Sequence, residues 1–237
     1  EGFYQIDDFV DKVRLIDRDK FETEWENKRP ARHKLVYYNF ENSRHVMTPD
    51  RLQKMTGHSF PSPTWNRVSG VDFGSAPGHP FVYLKFVQLP TGQWLQAYEY
   101  VAEQRLMRDH ATAIKRSPLF FSGDLCYADW DAQDRLELRS HGVYTRAAKK
   151  DVLTGVDYVH SLLKGVPPTE EPLLYVWHEC TYTIMEYGSY SWPVRPDGKP
   201  DKSGNPQKLD DHCMDTTRYA LFSYRDGAHW RYRGYKT

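Results

Sequence analysis

A short apolar run, Val68-Ser69-Gly70-Val71-Asp72-Phe73-Gly74, predicts a buried strand over 68–73 with one carboxylate in its middle. Two further runs typical of strands follow it, 81–88 and 93–100, and turns rich in Gly and Pro join them. The three runs predict antiparallel strands in one sheet. Because burying an unpaired charge is expensive, we expect Asp72 to be paired, to close a turn at the strand end, or to hold a metal ion.

Beyond these strands, the hydrophobic pattern alternates between the period of a helix and the short runs of a strand. It places helices at 103–116, 130–139, 152–163 and 209–224, and strands at 118–122 and 173–177. Such an order predicts an α/β protein with an RNase H-like mixed sheet flanked by helices. Residues 67–237 would form this domain, and residues 1–66 a helical and extended approach segment that packs on it.

Charge and cysteine content exclude several classes of protein. Lys plus Arg and Asp plus Glu both total 32, so the general positive charge of many nucleic-acid-binding proteins is absent, although a local basic patch is compatible with this balance. Three distant cysteines favour neither a disulfide framework nor a zinc site. No apolar run reaches membrane-spanning length, and no phosphate-binding or dinucleotide-binding glycine motif occurs.

Two more acidic clusters lie at the predicted ends of elements. Asp124 follows the strand predicted at 118–122, and open α/β sheets place their sites at the carboxyl ends of strands. The alternative for Asp124 is a turn before the next helix, and Asp129 is expected to cap that helix. The other cluster opens the last helix and consists of Asp210, Asp211, His212 and Asp215. Its alternative is ordinary capping and dipole stabilisation of that helix.

Three acidic clusters favour hydrolysis of a phosphodiester with two divalent ions about 3.5–4 Å apart. Oxygen-rich sites without cysteine suit Mg²⁺ or Mn²⁺. In this hypothesis Asp72 bridges both ions, Asp124 holds one, and the helix with Asp211 and Asp215 holds the other. His212 is either a ligand, a residue that orients the water, or a salt-bridge partner.

Basic residues flank these clusters in predicted loops, where they would suit the phosphates of double-stranded DNA. They are Arg146, Lys149, Lys150, Lys199, Lys202 and Lys208. For any one of them, ordinary solvation is the alternative.

The ordered motifs resemble the nuclease domain of the large terminase subunit of tailed bacteriophages. Gly70-Val71-Asp72-Phe73-Gly74 is similar to its first strand, and the region from Asp124 to Gly155-Val156 to its second acidic region. Asp211-His212-Cys213-Met214-Asp215 followed by Arg218-Tyr219 is similar to its closing motif. Residues 6–40 resemble the segment that joins the terminase ATPase domain to the nuclease.

This resemblance implies a metal-dependent endonuclease that cuts concatemeric viral DNA during genome packaging. It also implies an ATPase domain before Glu1, which fits a chain that begins without Met, together with a portal protein and a small terminase subunit as partners. The place of action would be the cytoplasm of the infected bacterial host, without a membrane partner. Residues 188–208 would correspond to a flexible hairpin near the active site.

Two other functions are compatible with the same pattern. An RNase H-like domain can be a junction resolvase or an exonuclease, although the approach segment favours a terminase. A domain with structural acids could instead grip DNA for a motor without cutting it.

Overall fold

The computed structural model describes residues 30–74, 78–165, 170–209 and 211–233. Residues 1–29 of the predicted approach segment and the predicted site residue Asp210 lie outside these ranges. Within them, no helix combines the length and the apolar character needed to cross a bilayer.

One mixed sheet forms the centre of the described structure. Its strands are β1 (Val46–Met47), β2 (Arg67–Asp72), β3 (Phe81–Gln88), β4 (Trp94–Ala102), β5 (Leu125–Ala128), β6 (Arg146–Ala147) and β7 (Leu174–Trp177). The α-helices are α1 (Asn42–His45), α2 (Pro49–Thr56), α3 (Met107–Arg116), α4 (Ala132–Ser140), α5 (Val152–Lys164), α6 (Thr181–Tyr187) and α7 (His212–Arg233).

The strand order across the sheet is β1-β7-β4-β3-β2-β5-β6. β2, β3 and β4 are antiparallel neighbours, as predicted, and the other pairs are parallel. The carboxyl ends of β2, β5 and β6 therefore lie at one edge of the sheet. The predicted approach segment contributes to the same sheet, since β1 pairs with β7; the boundary at residue 66 stays a prediction.

Helices cover both faces of the sheet. Val71 of β2 packs with Ala111 and Ile114 of α3 in a smaller apolar cluster on one face. The main core on the other face includes residues of α5, α6 and α7. Because side chains alternate along a strand, Gly70 and Asp72 face α7.

Gly70 allows α7 to approach β2 closely. A Cβ atom at this position would lie 2.4 Å from the backbone oxygen of Thr216 and 2.8 Å from its Cγ2. Any larger residue would push the helix away from the strand, because no atom in a protein interior tolerates such contacts. The glycine thus brings the first turn of α7 beside Asp72.

A glutamate in α6 fixes the beginning of α7. Oε2 of the buried Glu186, in α6, accepts hydrogen bonds from the backbone N–H groups of Cys213 (2.8 Å) and Met214 (3.3 Å). Glu99 of β4 in turn accepts the N–H groups of Tyr182 and Thr183 at the start of α6, each at 2.9 Å. Carboxyl groups on neighbouring elements therefore satisfy free N–H groups that begin both helices.

One predicted strand is wrong. Residues 118–124 are irregular, with turns at 118–119 and 122–123, and the strand begins one residue after Asp124, at Leu125. Both 118–122 and 125–128 are short and apolar, so the pattern alone does not choose between them. Pairing with Val68–Val71 of β2 selects the second run.

Candidate active site

Asp72 and His212 bring the end of β2 into contact with the start of α7. Nδ1 of His212 lies 3.0 Å from Oδ2 of Asp72, and both side chains are mostly buried. Burial raises the pKa of Asp72, and the negative charges of Asp215 and Asp129 raise it further, although His212 opposes them. The hydrogen bond to Asp72 raises the pKa of His212 against the effect of burial. An imidazolium here would offset part of the carboxylate charge.

Asp129 stands next to Asp72 at the same edge of the sheet. β2 and β5 are parallel with Val71 opposite Ala128, so the next residue on each chain is an aspartate. The N–H group of Asp129 donates to the carbonyl of Val71 at 3.2 Å. Its carboxylate, about a quarter exposed, forms an ion pair with Lys150, which follows the carboxyl end of β6.

The first turn of α7 carries the remaining acids. Nζ of Lys208 lies 2.8 Å from Asp211 and 2.7 Å from Asp215, and Arg218 donates to Asp215 at 2.7 Å. Burial would raise the pKa of Asp215, but the charges of Arg218 and Lys208 outweigh it and hold the pKa below its usual value. Asp215 therefore stays ionised although it is buried.

The negative charges of Asp72, Asp129 and Asp215 all act on one side chain, Tyr219. Burial is the main reason that the pKa of its phenol is raised, and the negative charges of Asp215, Asp72 and Asp129 add to this effect. Three acids thus act on one side chain from three elements. A divalent cation would offset their repulsion, and carboxylate oxygens are the donors that suit Mg²⁺ or Mn²⁺.

The described side chains are nevertheless arranged as ion pairs. Among the residues that the structure describes, no three His, Cys, Asp or Glu side chains converge as ligands of a metal ion. His212, Lys150 and Lys208 each compensate a carboxylate in this arrangement. The donor set fits a divalent metal, while its present contacts are with basic side chains.

Comparisons with known proteins agree on one architecture. No protein-family model matches the sequence, and no curated protein matches it. The large terminase of a thermophilic bacteriophage, solved with ATP-γ-S, aligns over 80% of this chain with a TM-score of 0.61 and 22% identity. The nuclease domain of the P22 large terminase aligns over 81% of this chain and 92% of its own, with a TM-score of 0.62 and 14% identity.

The chain has the RNase H-like fold of a large terminase nuclease domain. It spans 45% of the length of the terminase that was solved with ATP-γ-S. The terminase nuclease of the thermophilic phage G20c has the same fold, with a TM-score of 0.54 and 14% identity over 80% of this chain and 97% of its own; it was solved with bound magnesium, and in another crystal with bound cobalt. The predicted fold class is confirmed.

Within the terminase nuclease fold, Asp124 lies away from the other predicted site residues. It precedes β5, whereas Asp129 follows it, so the two acids flank opposite ends of one strand. Asp124 pairs with Lys85, whose side chain is 1% exposed, and accepts from Nε of Arg67 at 3.0 and 3.1 Å. Its expected place at the carboxyl end of a strand is wrong, because the strand begins after Asp124 and leads away from it.

The predicted DNA-binding residues divide between two parts of the terminase nuclease fold. Arg146, Lys149 and Lys150 are exposed in and after β6, at the edge that carries Asp72 and Asp129. In the irregular segment before α7, Lys199 lies 3.8 Å from Asp197, Lys202 lies over the ring of Tyr38, and Lys208 bridges Asp211 and Asp215.

Three residues of the site were not identified from sequence as parts of it. Asp129 was expected to cap a helix, but Asp131 caps α4 instead by accepting the N–H groups of Gln133 and Asp134. His79 lies with its ring centroid 5.6 Å from that of His212. Glu186 acts on α7 from 27 residues away. The sequence held a signal for Asp129, the four-residue apolar run Leu125–Ala128 before it. The contacts of His79 and Glu186 with α7 correspond to no local sequence pattern.

Proposed function

We propose that this chain is a metal-dependent endonuclease that cuts double-stranded DNA by phosphodiester hydrolysis. The observation that carries the proposal is the pair Asp72 and Asp129, side by side at the ends of two parallel strands and opposite the acidic first turn of α7. The fold adds support, since the solved structures that this chain resembles include terminase nuclease domains, one of them with bound magnesium.

In this proposal Asp72, Asp129 and His212 hold divalent Mg²⁺ or Mn²⁺, with Asp211 and Asp215 as further candidates. Two divalent ions bound by these residues would supply an activated water and would neutralise charge on the leaving oxygen. Other residues of the protein keep these candidate ligands charged and in place. Arg218 keeps Asp215 charged in a buried position, and Glu186 joins the start of α7 to α6.

The lysines of the site have a second role in this proposal. Lys150 and Lys208 neutralise carboxylates in the structure, and both side chains remain substantially exposed. A DNA phosphate attracts the same ammonium groups, and the carboxylates that they leave become available to the metal. Binding of DNA and binding of metal would then favour each other.

We further propose the setting that the resemblance to large terminases implies. The DNA would be a concatemer of viral genomes, cut during packaging in the cytoplasm of the infected host. An ATPase domain of the same polypeptide, a portal protein and a small terminase subunit would be the partners.

A DNA-gripping domain without catalysis is the second candidate. It is favoured by the ion pairs that engage His212, Lys150 and Lys208 with the acids in the structure. In that case the acids would position basic side chains for phosphate contact and would not bind metal.

Cleavage of supercoiled plasmid tests the proposal. The chain is incubated with Mg²⁺, with Mn²⁺ and with EDTA, beside Asp72→Asn and Asp129→Asn. We expect metal-dependent nicking and linearisation that both substitutions abolish. Cleavage that survives Asp72→Asn would refute the site, and salt-sensitive DNA binding without cleavage by either metal would establish the gripping function.

A further inference from the structure

An exposed tryptophan adjoins the acidic pair. Trp130 follows Asp129 directly and its side chain is 60% exposed. Among the tryptophans whose side chains the structure describes, Trp130 alone is exposed. Tryptophan is enriched at interfaces, because its ring offers a large apolar face together with a polar N–H group.

Two contacts hold the ring in place. The indole Nε1–H donates a hydrogen bond to the carbonyl of Ala148, in the segment after β6. Nζ of Lys150 lies 5.7 Å from the ring centroid, and the same ammonium group pairs with Asp129. The ring, the ammonium group and the carboxylate therefore form one arrangement whose open side is presented to solvent.

The charges around the ring favour a polyanion as its partner. Arg146, Lys149 and Lys150 are all exposed on the adjacent β6 segment. Proteins combine aromatic rings with cations to bind single strands of nucleic acid, since the ring packs on an exposed base and the cations contact phosphates. On double-stranded DNA the same packing requires a base that is exposed where the duplex is opened or ends.

We propose that Trp130 is a DNA-positioning residue, which packs its ring against a nucleotide next to the phosphate at Asp72 and Asp129. This inference rests on the proposed nuclease function. The ring fixes the strand laterally, while Lys150 lies between the nucleotide and the carboxylate of Asp129. Trp130 contributes no group to the chemistry, so its removal should weaken DNA binding more than it slows cleavage of bound DNA.

Two substitutions separate packing of the ring from its structural hydrogen bond. Trp130→Phe keeps an aromatic face but lacks the N–H donor to Ala148, and Trp130→Ala lacks both. Phe121→Ala is the matched control, because Phe121 is also an exposed aromatic (58%) beside a cation, Arg67, but lies near Asp124 at the opposite end of β5. Plasmid nicking is measured with Mg²⁺ over a range of DNA concentrations.

We expect Trp130→Ala to raise KM about tenfold, the loss typical of one aromatic packing contact, with kcat changed by less than about threefold. Trp130→Phe should keep KM within about threefold of the unchanged protein, as should Phe121→Ala. An unchanged KM in Trp130→Ala overturns the inference. Equal loss in Trp130→Phe and Trp130→Ala also overturns it, because the hydrogen bond to Ala148 would then be the cause.

A binding measurement keeps the inference distinct from the nuclease proposal. In the Asp72→Asn background, addition of a short blunt-ended duplex should quench tryptophan fluorescence, and Trp130→Phe should remove most of that change. Quenching that persists in Trp130→Phe refutes the contact with DNA. If the unchanged protein does not cut plasmid, the nuclease proposal fails, and loss of quenching in Trp130→Phe would still show that the ring contacts DNA.

Discussion

Substitution of Asp124 tests the different roles of the two aspartates that flank β5. Asp124→Asn removes the negative charge beside Lys85, whose side chain is 1% exposed and whose pKa burial already lowers. The hydrogen bonds from Arg67 can be partly replaced, because that side chain reaches solvent more readily. Lys85 has no such route, and a buried ammonium without a counter-charge is unfavourable.

The burial of this ion pair sets the loss of stability expected for Asp124→Asn. Removing one partner of a buried ion pair typically costs about 3–5 kcal/mol. In a protein of this size each kcal/mol lowers the melting temperature by about 2–4 °C, so a decrease of roughly 6–20 °C is expected. Asp129→Asn should have little effect on stability, since its pair with the partly exposed Lys150 contributes about 0–1 kcal/mol.

The measurement combines stability with activity. Urea denaturation gives the free energy of unfolding, and plasmid nicking below the transition gives the activity per folded molecule. We expect Asp124→Asn to be unstable but active, and Asp129→Asn to be stable but inactive. The double substitution Lys85→Met with Asp124→Leu should recover most of the lost stability, because apolar replacement of a buried pair is often neutral or stabilising.

The opposite pattern would refute this reasoning. If Asp124→Asn unfolds like the unchanged protein but no longer cuts DNA, Asp124 belongs to the catalytic site, as its position in the sequence first indicated. If the double substitution is as unstable as Asp124→Asn alone, the unpaired charge of Lys85 is not the cause of the loss.

Two further predictions concern α7. Gly70→Ala should destabilise the protein by about 1–3 kcal/mol and reduce nicking, because the added Cβ meets Thr216 at 2.4 Å; unchanged urea midpoint and activity would contradict this close packing. Burial raises the pKa of Glu186 from its ordinary value near 4.5 to about 8, so the unfolded chain ionises there at lower pH than the folded one. Stability should fall as pH rises from about 4.5 to 8, by up to about 1.4 kcal/mol per pH unit for this one proton, and Glu186→Gln should remove that part of the slope; an identical slope in both proteins would contradict it.

Sequence patterns predicted the parts of this fold that depend on local periodicity. The antiparallel strands around Asp72, the helix at 152–163 and the strand near 173–177 all form close to the predicted positions. Asp72 could be predicted as a site residue because a carboxylate in a short apolar run is costly to bury, and the local sequence shows this run. His212 and the acids around it could be predicted as site residues from their spacing on one helix.

What sequence could not provide was the choice between equivalent local patterns. Two apolar runs flank Asp124, and only pairing with β2, more than fifty residues earlier, decides which of them is the strand. That choice determines whether Asp124 or Asp129 lies beside Asp72. The contact between Glu186 and the start of α7 is equally non-local, because it joins residues 27 positions apart.

The cap that Glu186 provides has a consequence for how the protein can diversify. The segment between α6 and α7 includes an exposed turn at 195–199 that is closed by the bridge between Val194 and Pro200. Since α6 itself anchors α7, the length and composition of this turn are not needed to set the position of His212. Insertions in this turn would change the surface that the protein presents to a partner but would leave the site residues in place. Related proteins could therefore differ in this turn without loss of the site.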